Sequence, residues 1–378
     1  MTPRIALIGA NGYGLHHRRA MAPLIGAGRI DLVGLCDLRP IRSEPGAPLP
    51  SRARVFTDYR EMLSAIEPDV VVIASPPHSH LEIAVTAVRA GADVLVEKPP
   101  LVSMAEQRAL TSALEETQRV CQVGFQALGS AALGTLGTAI RTGRLGRVTG
   151  IGTYGAWQRP DSYYERAPWA GRRAIDGRPV LDGALVNPFA HAVMQSLAVA
   201  EAFGPVFVTK VELERFRARP IEVDDTAVLR AHLTSRLPVV VAVTLCADEV
   251  VDPRVVVHSE RGPAVLRYTT DELQMPGEQP QVVPGRAGLL DNLLDHRARP
   301  DDVPLLAPLK RTVPFTAVVD ANTADGPPVS IAAQHLAVNG AGAERVVSVP
   351  GATALLRNAA EHLMLPSELG APWAITAT

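Results

Sequence analysis

Aromatic side chains are scarce in this chain, 4% of 378 residues, and cysteines are scarcer still, three in all. Cys36, Cys121 and Cys246 each lie in or beside an apolar strand-like run. None has the spacing of a thiolate metal site, so they read as reduced core residues. His232, His258, His296, His335 and His362 form no group with ligand spacing either, and no metal is expected. An excess of one charge is also missing: 37 basic residues face 39 acidic ones, a net charge of −2. That balance removes the electrostatic case for a nucleic acid or an anionic membrane and leaves a small molecule as the expected partner. No apolar run is long enough to span a bilayer, and no basic segment followed by a signal-type apolar run opens the chain. The expectation is a soluble, cytoplasmic protein. Internal repeats and low-complexity segments are absent as well, and the length suits two cores better than one.

Against this plain background one segment stands out, Val94-Leu95-Val96-Glu97-Lys98-Pro99-Pro100. It reads as an apolar strand that stops on a lysine between a carboxylate and two prolines. The prolines supply no backbone donors, so the ladder ends there and Lys98 stands at the carboxyl edge of a sheet. In an open α/β sheet that edge is where ligands bind. The chain begins with a similar construction. Arg4-Ile5-Ala6-Leu7-Ile8 runs into Gly9-Ala10-Asn11-Gly12-Tyr13-Gly14 and then a helical segment, a dinucleotide site in outline. Leu32-Val33-Gly34-Leu35-Cys36 ends on Asp37, placed to accept hydrogen bonds from an adenosine ribose. A third strand, Asp69 to Ala74, stops at Ser75-Pro76-Pro77-His78-Ser79-His80.

Short β-branched runs alternate with helical segments such as Glu82 to Ala90 and Ala105 to Thr117 as far as about Gly124, which argues for a doubly wound parallel sheet. Beyond it come a helix, Ala131 to Thr142, and strands that follow one another without intervening helices. These are Val148 to Tyr154, Val206 to Leu213, Ala227 to Leu233, Val239 to Leu245, Arg254 to His258, Ala264 to Tyr268 and Val346 to Val349. Such a run predicts a large, predominantly antiparallel open sheet. The fold class is therefore α/β followed by α+β, with a dinucleotide-binding domain over 1–124 and a substrate-binding and oligomerisation domain over 125–378. A sheet with one uncovered face calls for a partner, so a homodimer or homotetramer packed through it is expected. The tail from Gly342 to Thr378 has no functional reading.

The glycine turn, Ala74-Ser75-Pro76-Pro77-His78-Ser79-His80, Glu97-Lys98-Pro99 and Val123-Gly124-Phe125, taken in that order, resemble the Gfo/Idh/MocA oxidoreductases, which include glucose-fructose oxidoreductase and inositol dehydrogenase. The resemblance extends more weakly through most of the second half. It implies an amino-terminal Rossmann domain, a loop over Ser75, Pro76 and His78 that lines the nicotinamide half of the cofactor, and an α+β second domain. It also implies a histidine four residues beyond an aspartate or asparagine in a helix. Asp182-Gly183-Ala184-Leu185-Val186-Asn187-Pro188-Phe189-Ala190-His191 matches, which gives Asn187 and His191. On a helix the two would share a face. Asparagine where many relatives carry aspartate makes the imidazolium less stable, which argues for a neutral His191 acting as base.

The expected site follows. Gly9, Asn11 and Gly14 occupy the three marked positions of the dinucleotide fingerprint, where Asn11 is a departure eased by its tolerance of left-handed backbone and by Gly12 beside it. Tyr13 belongs to the same turn. Asp37 would repel a ribose 2′-phosphate and so favours NAD, while Arg39 and Arg42 leave NADP open. His16 and His17 read as a solvated helix face and His80 as structural. Glu97 orients Lys98 or neighbouring backbone. Lys98 stabilises an oxygen that gains negative charge, and His191 transfers the proton. Trp157, Arg159, Tyr163, Tyr164, Arg166, Trp169, Arg172 and Arg173 concentrate aromatics and arginines in one segment. Tyr163, Trp169 and Arg172 are its expected substrate contacts, suited to a carbohydrate with or without an acidic group. Asp182 either binds a hydroxyl or caps the turn, and Glu222, Asp224 and Asp225 pair with the arginine-rich strand before them. The function expected is an NAD(P)-dependent oxidoreductase acting on a hydroxyl carbon of a sugar or polyol. The alternatives are a glycoside hydrolase that uses NAD through transient oxidation and a dinucleotide-binding sensor without turnover.

Overall fold

The computed structural model describes residues 2–374; the last four residues of the tail, 375–378, lie outside the described residues. The chain divides into two compact units, 1–125 with 288–313, and 126–287 with 314–378.

The first unit is built on strands β1 (Arg4–Ile8), β2 (Asp31–Cys36), β3 (Arg54–Phe56), β4 (Val70–Ile73), β5 (Asp93–Val96) and β6 (Cys121–Val123). They form one sheet in the order β3-β2-β1-β4-β5-β6, with every neighbouring pair parallel. Helices α1 (Gly14–Gly26), α2 (Tyr59–Ile66), α3 (His80–Arg89) and α4 (Met104–Thr117) fall between the strands in sequence. β4 and β5 have every residue buried, which is why they read as continuous apolar runs rather than alternating ones. The chain starts in the middle of the sheet and winds outward in both directions. The carboxyl ends of β1 and β4 therefore flank the point where strand order reverses, the position at which open α/β sheets leave a crevice.

The sequence expectation placed all of 125–378 in the second domain, and 288–313 departs from it. β6 is an edge strand, and this returning segment covers its open edge. Val123 N–H donates to Ala307 O at 2.8 Å, and Gln122 forms a bridge with Pro308. The fully buried Gln122 amide donates to Leu289 O at 3.2 Å and Asn292 Oδ1 at 2.7 Å and accepts from Ala307 N–H at 2.9 Å. Asn292 Oδ1 also accepts from Leu306 N–H at 2.8 Å. Arg297, at the end of the helix Leu289–Ala298, pairs with Asp93 and with Asp69. An unpaired edge invites association with other chains, and here the chain supplies its own cover.

The second unit contains strands β7 (Val148–Gln158), β8 (Ala174–Ile175), β9 (Arg178–Pro179), β10 (Val208–Arg217), β11 (Thr226–Leu233), β12 (Pro238–Thr244), β13 (Cys246–Ser259), β14 (Ala264–Arg267), β15 (Glu272–Gln274), β16 (Gln281–Val282) and β17 (Val329–Ser330). Nine of them make one sheet in the order β16-β15-β14-β13-β7-β12-β11-β10-β17. All its pairs are antiparallel except β12 with β7 and β10 with β17. β8 and β9 form a small hairpin, and the strand Val346–Ser348 pairs with Ala337–Asn339 rather than joining the large sheet.

Alternation along β7 assigns its two faces. Thr153 meets Ser196 of the helix Ala190–Ala200 through a 2.7 Å hydroxyl contact. Tyr154 and Ala156 point the other way, into a core with Leu356, Ala359 and Ala360 of the helix Ala352–His362. Gly152 belongs to this second face. A Cβ there would lie 1.9 Å from Ala360 O, so only glycine lets the helix backbone come so close. The expected uncovered sheet face is thus closed over its central strands by the carboxyl-terminal segment. Trp373 completes the cover by packing edge-on against Phe216, with ring centroids 4.8 Å apart.

Asn292→Ala leaves buried donors of Gln122 and Leu306 without an acceptor, and should lower the stability of the first unit by about 3 kcal/mol. Asp291→Ala, which removes only an exposed pair with Arg29, should cost no more than about 1 kcal/mol. Urea unfolding of the two variants beside the parent protein checks both values.

Candidate functional site

The turn after β1 needs glycine at two positions for different reasons. Gly9 has φ of 81°, and a Cβ on it would stand 2.6 Å from the carbonyl carbon of Ala74 beyond β4. A Cβ on Gly14 would stand 1.8 Å from Gly9 O, so the first turn of α1 can lie against the loop only without a side chain there. Gly12, with φ of 55°, has nothing within 4 Å of where a Cβ would point. Asn11 is not among the residues of positive φ, so its tolerance of left-handed backbone is not what the turn uses. Its N–H donates to Asp37 Oδ2 at 2.9 Å, and its side-chain amide lies 3.3 Å from Arg39 O and 3.4 Å from Pro40 O. The fingerprint departure therefore pins the glycine turn to the loop after β2.

Asp37 accepts a second bond from Arg39 N–H, 2.9 Å from Oδ1. Each of its oxygens thus carries one backbone donor and retains acceptor capacity for a vicinal diol. The Arg39 guanidinium lies 3.7 Å from Asp37 and is largely exposed. Tyr13 precedes α1, and its ring lies 5.0 Å from that of His16 and 5.8 Å from that of His17. The arrangement fits a dinucleotide: a glycine turn opening a helix whose amino end favours phosphate, with a ribose-type acceptor at the end of β2.

The loops after β4 and β5 are joined by His80, which is 1% exposed. Its Nε2 lies 2.7 Å from Ser75 O, and its Nδ1 lies 2.9 Å from Pro99 O and 3.3 Å from Pro100 O. Burial pushes the pKa of this imidazole down. The Ser79 hydroxyl lies 2.8 Å from both the Ser75 hydroxyl and Pro76 O, which closes the short 3₁₀ turn Pro77–Ser79. Ser75, Pro76 and His78 are half-buried in this loop, and Lys98 is half-buried at the end of β5.

Glu97 was expected to orient Lys98 or nearby backbone, and its Oε2 accepts the Lys98 N–H at 3.1 Å. Its other oxygen lies 2.8 Å from His17 Nε2. His16 is exposed as the sequence suggested, but His17 is not part of a solvated face: its side chain is 11% exposed and turned to Glu97. Burial alone would raise the pKa of Glu97. The His17 bond, the His17 and Lys98 charges and the Lys98 N–H together outweigh it and hold the carboxyl below its usual range. A Cβ on Gly124 would come within 2.7 Å of the Glu97 carboxylate, so the glycine of Val123-Gly124-Phe125 exists to make room for it. His17 was missed because its distance from Glu97 in sequence, 80 residues, is closed only by the strand order.

Asn187, His191, Tyr163, Trp169 and Arg172 belong to the second unit. The helix there begins at Ala190, so Asn187 lies in the turn ahead of it and does not share a helical face with His191. The reason is local. Asn187 N–H bonds to Gly183 O and Phe189 N–H to Ala184 O, two closures that use the backbone before the helix starts. Asp182 binds groups of the chain itself. It accepts from Arg166 at 2.7 and 2.8 Å, from Gly171 N–H at 2.8 Å and from Asn187 Nδ2 at 2.5 Å. The Arg166 guanidinium stands 3.8 Å from the Tyr163 ring centroid and 4.7 Å from that of Trp169. Each ring therefore gives one face to an arginine of the protein itself. Arg172 is exposed. Of the later acids, Asp224 lies 3.9 Å from Arg215, Glu222 accepts from Arg173 N–H at 3.1 Å, and Asp225 accepts from Ala218 N–H and is pushed up to about 6 by burial.

Residues 3–125 match the model of an oxidoreductase family described as an NAD-binding Rossmann fold, Gfo/Idh/MocA. "Glycosyl hydrolase family 109 protein 2" of Akkermansia muciniphila is 31% identical over 130 residues, 32% of this chain and 27% of the relative. D-glucoside 3-dehydrogenase of Escherichia coli is 32% identical over 96 residues, 25% of this chain and 27% of the relative. The chain thus spans about a quarter of the length of these curated relatives. The WlbA dehydrogenase from Bordetella pertussis, crystallised with NADH and UDP-GlcNAcA, superposes with a TM-score of 0.70 at 24% identity. That superposition covers 86% of this chain and 98% of the other and is a likeness of fold. Over residues 3–125 the chain is thus similar to the NAD-binding Rossmann domain of the Gfo/Idh/MocA oxidoreductases.

Proposed function

We propose that the protein is an NAD-dependent oxidoreductase acting on a hydroxyl carbon of a sugar, polyol or related carbohydrate. The observation that carries this reading is the pairing, within the first unit, of a glycine turn and Asp37 with Lys98 at the carboxyl end of β5, two strands away from β1. NAD, when bound, supplies the hydride acceptor. The chain has to manage the hydroxyl, which loses its proton as the hydride leaves. The Lys98 ammonium stabilises the oxygen as it gains negative charge, and His191 takes the proton as a neutral base. Asn187 holds the substrate hydroxyl beside that histidine. Gly9, Asn11, Gly12, Tyr13, Gly14, Asp37, Arg39, Ser75, Pro76, His78 and Glu97 form the cofactor side. Asp37 is the reason for choosing NAD over NADP, because its carboxylate accepts ribose hydroxyls and repels a 2′-phosphate.

Tyr163, Trp169 and Arg172 remain the proposed substrate contacts, with the Arg159 guanidinium also standing 5.3 Å from the Tyr163 ring centroid. The exposed Arg172 suits an acidic group on the sugar. A cytoplasmic location in keeping with three buried free thiols completes the reading, while the homodimer or homotetramer expected through an uncovered sheet face loses its ground where the helix Ala352–His362 covers that face. The described helices include none long and apolar enough to cross a membrane. The likeness to a glycosyl hydrolase of family 109 supports a second reading, glycoside cleavage through transient oxidation.

Nicotinamide absorbance of the purified protein with NAD, across a panel of sugars, polyols and uronates, separates the two. The oxidoreductase gives a net rise with one substrate class, whereas the hydrolase releases product with no net change. Lys98→Ala should lower kcat by about 10²–10³-fold while NADH binding stays close to that of the parent protein; undiminished turnover would remove Lys98 from the mechanism. Asp37→Ala should weaken NADH binding by about tenfold or more and narrow the preference over NADPH, read by fluorescence titration.

A further inference from the structure

Most of the inward-turned arginines of the second unit have carboxylate partners: Arg215 meets Asp325, Arg219 meets Asp161, and Arg230 meets Glu212 and Glu368. Three half-buried arginines on or against the sheet face that carries the helix Ala352–His362 do not. The antiparallel register that pairs Val255 with Leu266 and Val256 with Val265 sets Arg254 of β13 directly opposite Arg267 of β14. On its other side Arg254 is opposite Tyr154 of β7, which faces the helix, so both arginines stand on that face. The Tyr154 ring has the Arg254 guanidinium 5.3 Å from its centroid and that of Arg357, from the helix, at 5.7 Å. The Nε atoms of Arg254 and Arg357 are buried without a hydrogen-bond partner. Among the described residues none accepts a hydrogen bond from, or forms an ion pair with, any of these three guanidinium groups. Like charges directly opposite each other in a sheet repel, and guanidinium donors taken out of water without acceptors cost free energy. The acids at hand do not meet them. Glu272, opposite Arg267 on β15, accepts from the Thr270 hydroxyl at 2.7 Å, and Glu361, one turn beyond Arg357, is exposed. The face is also hollow here, with a cavity of about 400 Å³ whose lining includes Tyr154, Arg254, Val256, Val265, Arg267 and Glu361. That volume is in the range of small-molecule sites.

We infer that this cavity binds a small dianion, a phosphate monoester or a dicarboxylate, whose oxygens meet the guanidinium groups of Arg254 and Arg267 together. Planar forks match both kinds of oxyanion bidentately, and two of them on strands about 5 Å apart bracket a single group. The anion turns a cross-strand repulsion into two attractions and accepts from donors that the chain itself leaves unmet. Tyr154, Val256 and Val265 offer the rest of the molecule an apolar floor, and Arg357 adds its positive charge from the helix. The site is separate from the proposed reaction centre. Thr153, the neighbour of Tyr154 on β7, faces the helix Ala190–Ala200 that carries His191, whereas Tyr154 faces the other way. The inference therefore stands independently of the oxidoreductase reading.

Calorimetric titration of the full chain with inorganic phosphate and, separately, malonate, in chloride buffer of matched ionic strength, tests the site. Saturable binding of at least one is expected, and the tighter of the two identifies the group recognised. Arg267→Gln should weaken that binding by about tenfold or more, with Arg254→Gln as the second variant, while NADH binding stays as in the parent protein. In chloride buffer alone Arg267→Gln should melt no lower than the parent, because it removes a repulsion. A fall in Tm would show that this guanidinium already has a partner and would overturn the inference. So would the absence of saturable binding, or binding that neither variant weakens. Sedimentation covers the remaining occupant: a parent dimer that Arg267→Gln dissociates would put a carboxylate of a second copy in the cavity and overturn the small-molecule assignment. Failure of the parent protein to bind NADH would count against the cofactor reading and leave the anion result unaffected.

Discussion

The first unit depends on how it keeps one carboxylate charged inside protein. Glu97 sits at the end of β5 with 5% of its surface exposed, and an isolated charge there would cost several kcal/mol in lost hydration. Two groups offset that cost directly, the His17 imidazole and the backbone N–H of Lys98. Once this arrangement is accepted, much of the local sequence follows. Gly124 must lack a side chain because the carboxylate occupies its space, and α1 must present His17 at its second turn. The backbone of Lys98 is fixed by the residue before it, so the ammonium leaves the sheet from a defined point. His80 supplies a matching restraint on the far side by bridging the carbonyls of Ser75, Pro99 and Pro100.

Lysine is notable here for its rarity. The chain has 37 basic residues, of which only three are lysine: Lys98, Lys210 and Lys310. At the end of β5, Lys98 places a compact point charge where an arginine would place a planar fork. The second unit shows the opposite preference. Arg166 and Arg215 make bidentate or multiple contacts with carboxylates, and Arg219 reaches Asp161, Arg159 O and Cys246 at once. These are positions where the fork geometry matters.

How much of this was legible in the sequence depended on distance along the chain. Strand ends that carry their own punctuation were readable: Ile8 into Gly9, Cys36 into Asp37, Val96 into Glu97-Lys98-Pro99. Each is a local signal, and the structure keeps all three at the carboxyl edge of one parallel sheet. What escaped was set by partners far away. Nothing in 288–313 announces that it will cover the edge of β6, because a polar network around Gln122 and Asn292 has no periodicity. The helix Ala352–His362 looked like an unassigned tail, and only Gly152, pressed against Ala360 O, records its docking on the sheet. Helix spacing puts Asn187 in one element with His191, whereas backbone closures at Gly183 and Ala184 delay the helix to Ala190. The arginine and aromatic segment was seen as a set of outward contacts, whereas Arg166 spends its guanidinium on Tyr163, Trp169 and Asp182.

The central claim is that the turn Gly9 to Gly14, with Asp37 behind it, holds NAD in the first unit. Fluorescence titration of the purified protein with NADH and, separately, NADPH tests it without knowledge of the substrate. Saturable NADH binding with NADPH weaker by about tenfold or more is the result the Asp37 carboxylate predicts. Failure to bind either nucleotide, or tighter binding of NADPH, would contradict the account.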